Sequence, residues 1–260
     1  MNDGMFRVSG DAYDLYMGRW SRRLAPAFAE AAGIAVGDRV LDVGCGPGAL
    51  TGVLVELVEP SSVAACDPSE SFVAACAQRH PGVDVRQAGV EQLPWPDGAF
   101  DVVLAQLVLN FVPDREAAAA EMTRVLRPGG TLAAAVWDYG GGVEMLRHFW
   151  DAARAVRTDA PDEAHPTALG GAGELAGFLT SAGCTSVTES TLRVESTYAD
   201  AGEVWQGFLQ GVGPAGAWCL SLPEDEREAL RREFLGRLPD SGPITLAAVA
   251  RCGTGVRPPP

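Results

Sequence analysis

At 260 residues, 47% of them hydrophobic, the chain is long enough for one large α/β domain or for such a core with an embedded cap. A formal net charge of −14 argues against DNA, RNA or an anionic membrane surface as the main partner. All 20 basic residues are arginine, which excludes Schiff-base and lysine general-base chemistry. Six cysteines (Cys45, Cys66, Cys76, Cys184, Cys219, Cys252) form no C-x-x-C pair and no ligand cluster with the three histidines, so neither a disulfide framework nor a metal site is expected. There is no signal peptide and no apolar run of ~18 residues. The expectation is a soluble cytoplasmic protein with no membrane partner.

Residues 1–37 precede the first strand. Tyr13, Tyr16, Met17, Gly18, Arg19 and Trp20 form an aromatic–basic cluster. A helical run follows from Ser21 to about Ala32, with Leu24, Ala27, Phe28 and Ala31 on one face. Val40-Leu41-Asp42-Val43 is an apolar β-rich run that ends in three alternate glycines, Gly44, Gly46 and Gly48. Ala49 to about Val58 then reads as a helix. A strand, a tight turn and a helix N-terminus make a site in which backbone N–H groups face a ligand. The missing Cβ atoms let that ligand press against the main chain. Asp42 is expected to put a carboxylate at the mouth of the site.

Ser62 to Cys66 is a second buried strand ending at Asp67, whose carboxylate suits two ribose hydroxyls. Pro68 ends that strand, and Ser69 is expected to cap a helix to about Arg79. His80, before Pro81, is expected in a solvated loop. Val83 to Val85 reads as a short third strand, followed by the loop from Ala88 to Pro94. Pro96-Asp97-Gly98 is a turn. Phe100 to Leu107 is the fourth strand, with Gln106 the first polar side chain at its carboxyl end, where ligands sit in open α/β sheets. A helix capped near Asp114 runs to Leu126. Arg127-Pro128-Gly129-Gly130 is expected to stop it, with Thr131 to Trp137 the fifth strand. Beyond a glycine hinge at 140–142, helices are expected at Val143–Val156 and Gly173–Ala182, and a sixth strand at Cys184–Tyr198. Two helix candidates follow, Ala201–Gln210 and Pro223–Leu238, then a last strand at Ile244–Ala250. Gly253 to Pro260 is expected to fray.

Two cofactor classes compete for the glycine turn. Gly44-x-Gly46-x-x-Ala49, with Asp67 21 residues after Gly46, fits the dinucleotide fingerprint of an NAD(P)-dependent oxidoreductase. Asp42 argues the other way: a carboxylate repels a pyrophosphate and favours an ammonium or a sulfonium. The ligand that suits an acidic, glycine-lined turn with a ribose-binding Asp is S-adenosylmethionine (SAM). VLDVGCGPG, ACDPS, LPWPDGAFDVV and RVLRPGG, in that order over about residues 38–137, resemble the motifs of the class I SAM-dependent methyltransferases, of the ubiquinone/menaquinone-biosynthesis, small-molecule type.

The resemblance implies an α/β, Rossmann-like sheet of seven mostly parallel strands with an antiparallel last strand and helices on both faces. It implies an N-terminal segment (1–37) folded over the cofactor. Cap insertions at 138–170 and 200–239 would rise from a methyltransferase domain of residues 38–260, above the carboxyl ends of the strands. SAM would be the donor and S-adenosylhomocysteine (SAH) the product. The residues expected to hold them are Tyr16, Arg19, Asp42, Gly44, Cys45, Gly46, Asp67, Pro68, Val90, Glu91 and Gln106. Tyr16 and Arg19 are expected to meet the methionine carboxylate, since an anionic protein needs a cation there. The family's adenine loop often carries an Asp where this chain has Gly89, so Glu91, Gln92 or a main-chain carbonyl must substitute.

Trp137, Tyr139, Phe149, Trp150, Trp205, Phe208 and Trp218 in the insertions suit a small or medium apolar acceptor, or else form a second core. Methyl transfer from a sulfonium is an in-line displacement whose main demands are alignment and exclusion of water. Should the acceptor need a base, Tyr139 and His148 are the candidates, ahead of Asp138 and His165. No acidic pair and no Ser/His/Asp order supports hydrolase chemistry. The leading reading is a SAM-dependent methyltransferase acting on a small-molecule acceptor, such as a secondary metabolite or a quinone-like compound, as a monomer or homodimer. The alternatives are a SAM-binding protein with a non-methylating, cyclase-like or binding role, and an NAD(P)-dependent oxidoreductase.

Overall fold

The computed structural model describes residues 14–161 and 169–259; Tyr13 and His165 lie outside them. Seven strands form one sheet: β1 (Val40–Val43), β2 (Val63–Asp67), β3 (Asp84–Gln87), β4 (Phe100–Gln106), β5 (Leu126–Trp137), β6 (Thr185–Tyr198) and β7 (Ile244–Val256). Their order is β3-β2-β1-β4-β5-β7-β6. The pairs from β3 through β5 are parallel, and β7 runs antiparallel to both β5 and β6. This is the expected sheet, with the antiparallel last strand.

β1 is buried at every position, which is why its sequence is continuously apolar apart from Asp42. Side chains of alternating residues face two helical layers. On one face Val40, Val102, Leu104, Ala133 and Ala135 pack against α1 (Arg19–Ala32) and α2 (Ala49–Leu57). On the other, Leu41, Val43, Val103, Leu132 and Ala134 meet α4 (Arg115–Val125) and α6 (Glu174–Ser181). α3 (Glu70–Arg79) packs along β2 and β3. α1 buries Leu24, Ala25, Phe28, Ala29 and Ala32, so its inner stripe is rotated from the expected one and Ala31 faces solvent.

β6 and β7 run on past the end of β5. Trp137 pairs with Ala250, while the ribbon continues through Val194, Ser196 and Tyr198 to Ile244. α5 (Glu144–Val156), α7 (Ala201–Phe208), α8 (Gly213–Ser221) and α9 (Glu224–Leu235) share one hydrophobic core with this ribbon and with α1. Phe149 stacks on Phe208 with centroids 4.3 Å apart, and Phe234 meets Trp205 and Phe208 at 5.8 and 5.3 Å. The insertion aromatics therefore serve packing and extend the core of that sheet face: Phe149, Trp150, Trp205 and Phe208 are all buried, and Trp218 is partly so.

Three elements depart from expectation. α8 was not among the expected helices; in it Gly216 packs where a Cβ would lie 2.9 Å from the backbone of Gly211. β5 begins at Leu126, directly from α4, rather than after Gly130. Leu126 pairs with Phe100, and Gly130 passes so close to Asp101 that a Cβ would sit 2.7 Å from its carbonyl oxygen. The tail is not frayed either. Gly253 and Gly255 lie in β7 under Leu175, Leu179 and Cys184, where side chains would clash.

Beyond β7, Arg257 donates to the carbonyls of Thr123, Arg124 and Leu126, closing the C-terminus of α4. Arg257→Ala is expected to cost roughly 1–3 kcal/mol. Thermal unfolding should read this as a midpoint several degrees lower.

Candidate functional site

The glycine turn is wired from within. Gly44 and Cys45 both donate to the Cys66 carbonyl at 2.7 and 2.9 Å, and Gly48 donates to the Cys45 carbonyl at 3.0 Å. Gly46 donates to Asp67 Oδ2 at 3.0 Å, and Ser69 N donates to Asp67 Oδ1 at 2.9 Å. Every amide from Gly44 to Gly48 is thus satisfied inside the protein, Pro47 having none. This corrects the expectation that these N–H groups face a ligand.

The three glycines differ. Gly44 (φ +69°) has Val108 where its side chain would be, with Cγ2 2.4 Å from the Cβ position, so it accommodates the β4 loop. Gly48 (φ +96°) makes room for the His80 ring, 2.6 Å from its Cβ position. Gly46 (φ +52°) has no atom within 4 Å of its Cβ position, so the space beside it is open. His80 is therefore not a solvated loop residue. Its Nε2 lies 3.0 Å from the Gly48 carbonyl, Arg79 reaches the Pro47 carbonyl at 3.2 Å, and together they clamp the turn from the end of α3. Burial holds the His80 pKa below its usual value, against the pull of the Gly48 carbonyl.

Asp42 lies under the turn, 1% exposed, rather than at an open mouth. It accepts from Thr51 Oγ1 at 2.7 Å. Burial pushes its pKa up to about 7, opposed by the Thr51 hydrogen bonds and aided by the nearby Asp67. Asp67 is also raised by burial, opposed by the Ser69 and Gly46 amides. Its two oxygens each take one donor here, leaving lone pairs for further hydroxyls. The Cys45 thiol faces Cys76 in a small cluster with Ala65; its hydrogen bond to Cys76, with burial, holds its pKa well above the usual value.

The remaining expected residues fall in three places. Pro68 accepts from Gln87 at 3.0 Å, and Val90 is buried in the loop after β3. Glu91 folds back so that its Oε2 lies 3.0 Å from where a Gly89 Cβ would be. Gln106 is buried at the end of β4 and donates to the Ser21 carbonyl of α1 at 3.2 Å. Tyr16 and Arg19 sit against α7. Tyr16 packs on Phe208 at 5.3 Å, and Arg19 pairs with Glu203 while lying 4.1 Å over the Tyr198 ring. Reaching a ligand carboxylate would cost Arg19 that ion pair. Tyr139 accepts from Asn110 Nδ2 at 3.1 Å, and His148 is half-buried on α5. Among the described residues, no group of three or more His, Cys, Asp or Glu is placed to hold a metal, and no helix is long and apolar enough to cross a membrane. Asn110 carries no signal in the sequence, because a lone Asn in a loop belongs to no motif.

Residues 41–134, which carry β1, the turn, Asp67 and β4, match the family model described as a methyltransferase domain. It is that segment, about a third of the chain, that is similar to a methyltransferase domain. The chain is similar to an uncharacterised protein of Mycobacterium tuberculosis, 34% identical over 153 residues, covering 57% of this chain and 54% of that protein. The chain thus spans about half the length of that relative. It is 39% identical over 98 residues to phthiotriol/phenolphthiotriol dimycocerosates methyltransferase 1 of Mycobacterium ulcerans, covering 37% of this chain and 36% of that protein. In fold it is similar to the phosphoethanolamine N-methyltransferase 2 of Haemonchus contortus, solved with phosphomonomethylethanolamine and SAH (TM-score 0.57, 15% identity, 96% of this chain and 57% of that one). It also resembles the [4+2]-cyclase SpnF in fold (TM-score 0.54, 21% identity, 92% and 82% covered).

The geometry of this methyltransferase turn separates stability from binding. Gly44→Ala adds left-handed strain and a clash with Val108, and is expected to cost roughly 2–5 kcal/mol. Gly46→Ala, with open space around it, is expected to cost only about 1–2 kcal/mol while filling the cradle. Paired denaturation and SAH titrations would distinguish the two. Asp42 generates a pH prediction. Its pKa is raised on folding, so stability falls as pH rises from the unfolded value through about 7. Asp42→Asn, which cannot ionise, is expected to raise the melting midpoint at pH 8 and change it little at pH 4, as scanning calorimetry would show.

Proposed function

We propose that this chain binds SAM in the glycine turn and transfers its methyl group to a small-molecule acceptor. The observation that carries the reading is the turn's wiring. With every amide from Gly44 to Gly48 already engaged and two raised-pKa carboxylates beside them, the turn has no cradle for a pyrophosphate and a ready counter-charge for a cation. SAM is such a ligand, carrying an ammonium and a sulfonium.

In this reading the open face of Gly46 receives the cofactor's main body. The free lone pairs of Asp67 accept the ribose hydroxyls, beside Pro68. Asp42, held by Thr51, answers the ammonium as a carboxylate, and Gly44 and Cys45 shape the wall. Val90 lies along the adenine. Glu91, folded into the space beside Gly89, supplies the carboxylate for its amino group. Tyr16, Arg19 and Gln106 bound the site from α1 and β4, and the N-terminal segment closes over it. The bound cofactor supplies an already activated methyl group. What the protein adds is alignment and exclusion of water, for which the helical layer α5, α7, α8 and α9 beyond the sheet edge is suited. Tyr139 and His148 remain the candidates for a base. The named acceptors of the relatives differ from one another, so the acceptor has to be read from this chain's own groups.

Isothermal titration should find micromolar SAH binding and none of NADH or NADPH; nicotinamide binding in place of SAH would sink the proposal. Asp67→Ala should weaken SAH by at least about tenfold, roughly 1.4 kcal/mol. Glu91→Ala should weaken SAH but not S-inosylhomocysteine, whose base lacks the amino group. An equal loss for both ligands would remove Glu91 from the adenine site.

A further inference from the structure

At the carboxyl ends of β4 and β5, three buried polar atoms have no hydrogen-bond partner among the described residues. They are Gln106 Oε1, Asn110 Oδ1 and Trp137 Nε1. Gln106 and Trp137 themselves are buried, at 8% and 2% exposure. Such orphans are rare in folded proteins, and each is costly unless something answers it. They share one neighbourhood. Gln106 pairs in register with Ala135, and Trp137 lies two residues further along β5 on the same sheet face. Leu107 takes a left-handed conformation (φ +63°), pinned by its amide to the Ala135 carbonyl at 2.7 Å, and this turns the chain back toward β5. Asn110 consequently reaches Tyr139, while Val108 forms the wall of the glycine turn at Gly44.

The orientation of these groups depends on their other contacts. Gln106 must present its nitrogen to the Ser21 carbonyl, which only accepts, so its oxygen points away. Asn110 gives its nitrogen to the Tyr139 hydroxyl, which unlike a carbonyl can also donate, so its amide can turn either end to a ligand. The set of fixed sense is one N–H donor, Trp137 Nε1, and one amide oxygen, Gln106 Oε1. A protonated amine would leave the indole N–H unanswered. A carboxylate or phosphate dianion would have no proton for the Gln106 oxygen. A hydroxyl, donor and acceptor at once, satisfies both kinds of orphan.

We propose that Gln106, Asn110 and Trp137 form a specificity subsite for a neutral hydroxyl group, an alcohol or phenol, on the methyl acceptor. This rests on the methyltransferase reading above. The hydroxyl accepts from Trp137 Nε1 and donates to Gln106 Oε1 or Asn110 Oδ1. No member of the trio is a base, so the subsite orients the acceptor and selects it, whichever atom of that molecule is methylated.

The test uses the full chain saturated with SAH, with 4-fluorophenol and 4-fluoroanisole as probes observed by fluorine NMR. The expected result is saturable broadening of the phenol and none of the ether. Asn110→Leu and Trp137→Phe should each weaken the phenol by about fivefold or more, the effect of one lost hydrogen bond. Both variants should keep SAH affinity within about twofold and show an unchanged circular dichroism spectrum. Should Trp137→Phe fail to fold, Asn110→Leu, on a loop, carries the test. Equal binding of ether and phenol, phenol affinity unchanged in the variants, or no phenol binding to the SAH complex would each overturn the subsite. Failure of SAH itself to bind would overturn the cofactor reading, and the subsite with it.

Discussion

The carboxylate of Asp67 is the constraint on which the rest of the site depends. It ends β2, yet it accepts from Gly46 in the turn after β1 and from Ser69 at the start of α3. A single side chain therefore fixes the distance between two parallel strands at their ligand-bearing ends. It does so while nearly buried, at 8% exposure. The Gly44 and Cys45 amides reinforce this link through the Cys66 carbonyl one residue earlier. The turn is consequently rigid before any ligand arrives, which reduces the ordering cost of binding.

That rigidity carries an electrostatic tension. Asp42 and Asp67 raise each other's cost of ionisation in a chain that is already strongly negative. No cation among the described residues forms a salt bridge with either one. A site that holds a buried carboxylate near its neutral point is destabilised when empty and charged, and a cationic ligand relieves it. Affinity and stability are thus set against each other at one residue, a trade common at binding sites. Thr51 and the α3 clamp of Arg79 and His80 offset part of the cost by holding the geometry.

The strands, the antiparallel last strand and the turn were legible in the sequence because local signals and burial agree there. Val40, Leu41 and Val43 are apolar since β1 is covered on both faces, and the positive φ of Gly44, Gly46 and Gly48 demands glycine. What was not legible depends on contacts between distant segments. His80 looked solvated because nothing nearby in sequence announces that Gly48 and Gly52 leave room for its ring. No helix was expected over Gly213–Ser221, because close helix packing and chain flexibility call for the same small residues. Arg19 resembled a ligand-binding cation, and only the fold brings Glu203 and Tyr198 to it.

The division between shared and private parts of the molecule follows from these layers. The family match ends at residue 134, before Trp137 and before α5, α7, α8 and α9, which share a core with the β6–β7 ribbon. Within 41–134, Asp42, Gly46 and Asp67 are held by that segment's own backbone and by Thr51. The groups at the carboxyl ends of β4 and β5 have no such closure. Gln106 is oriented by Ser21 from the N-terminal helix, Asn110 by Tyr139 from beyond β5, and Trp137 is buried in the core that the insertions complete. A change in any of those flanking segments re-aims a group at the carboxyl edge without disturbing the turn. The proposed acceptor subsite can therefore change while the glycine turn holds still.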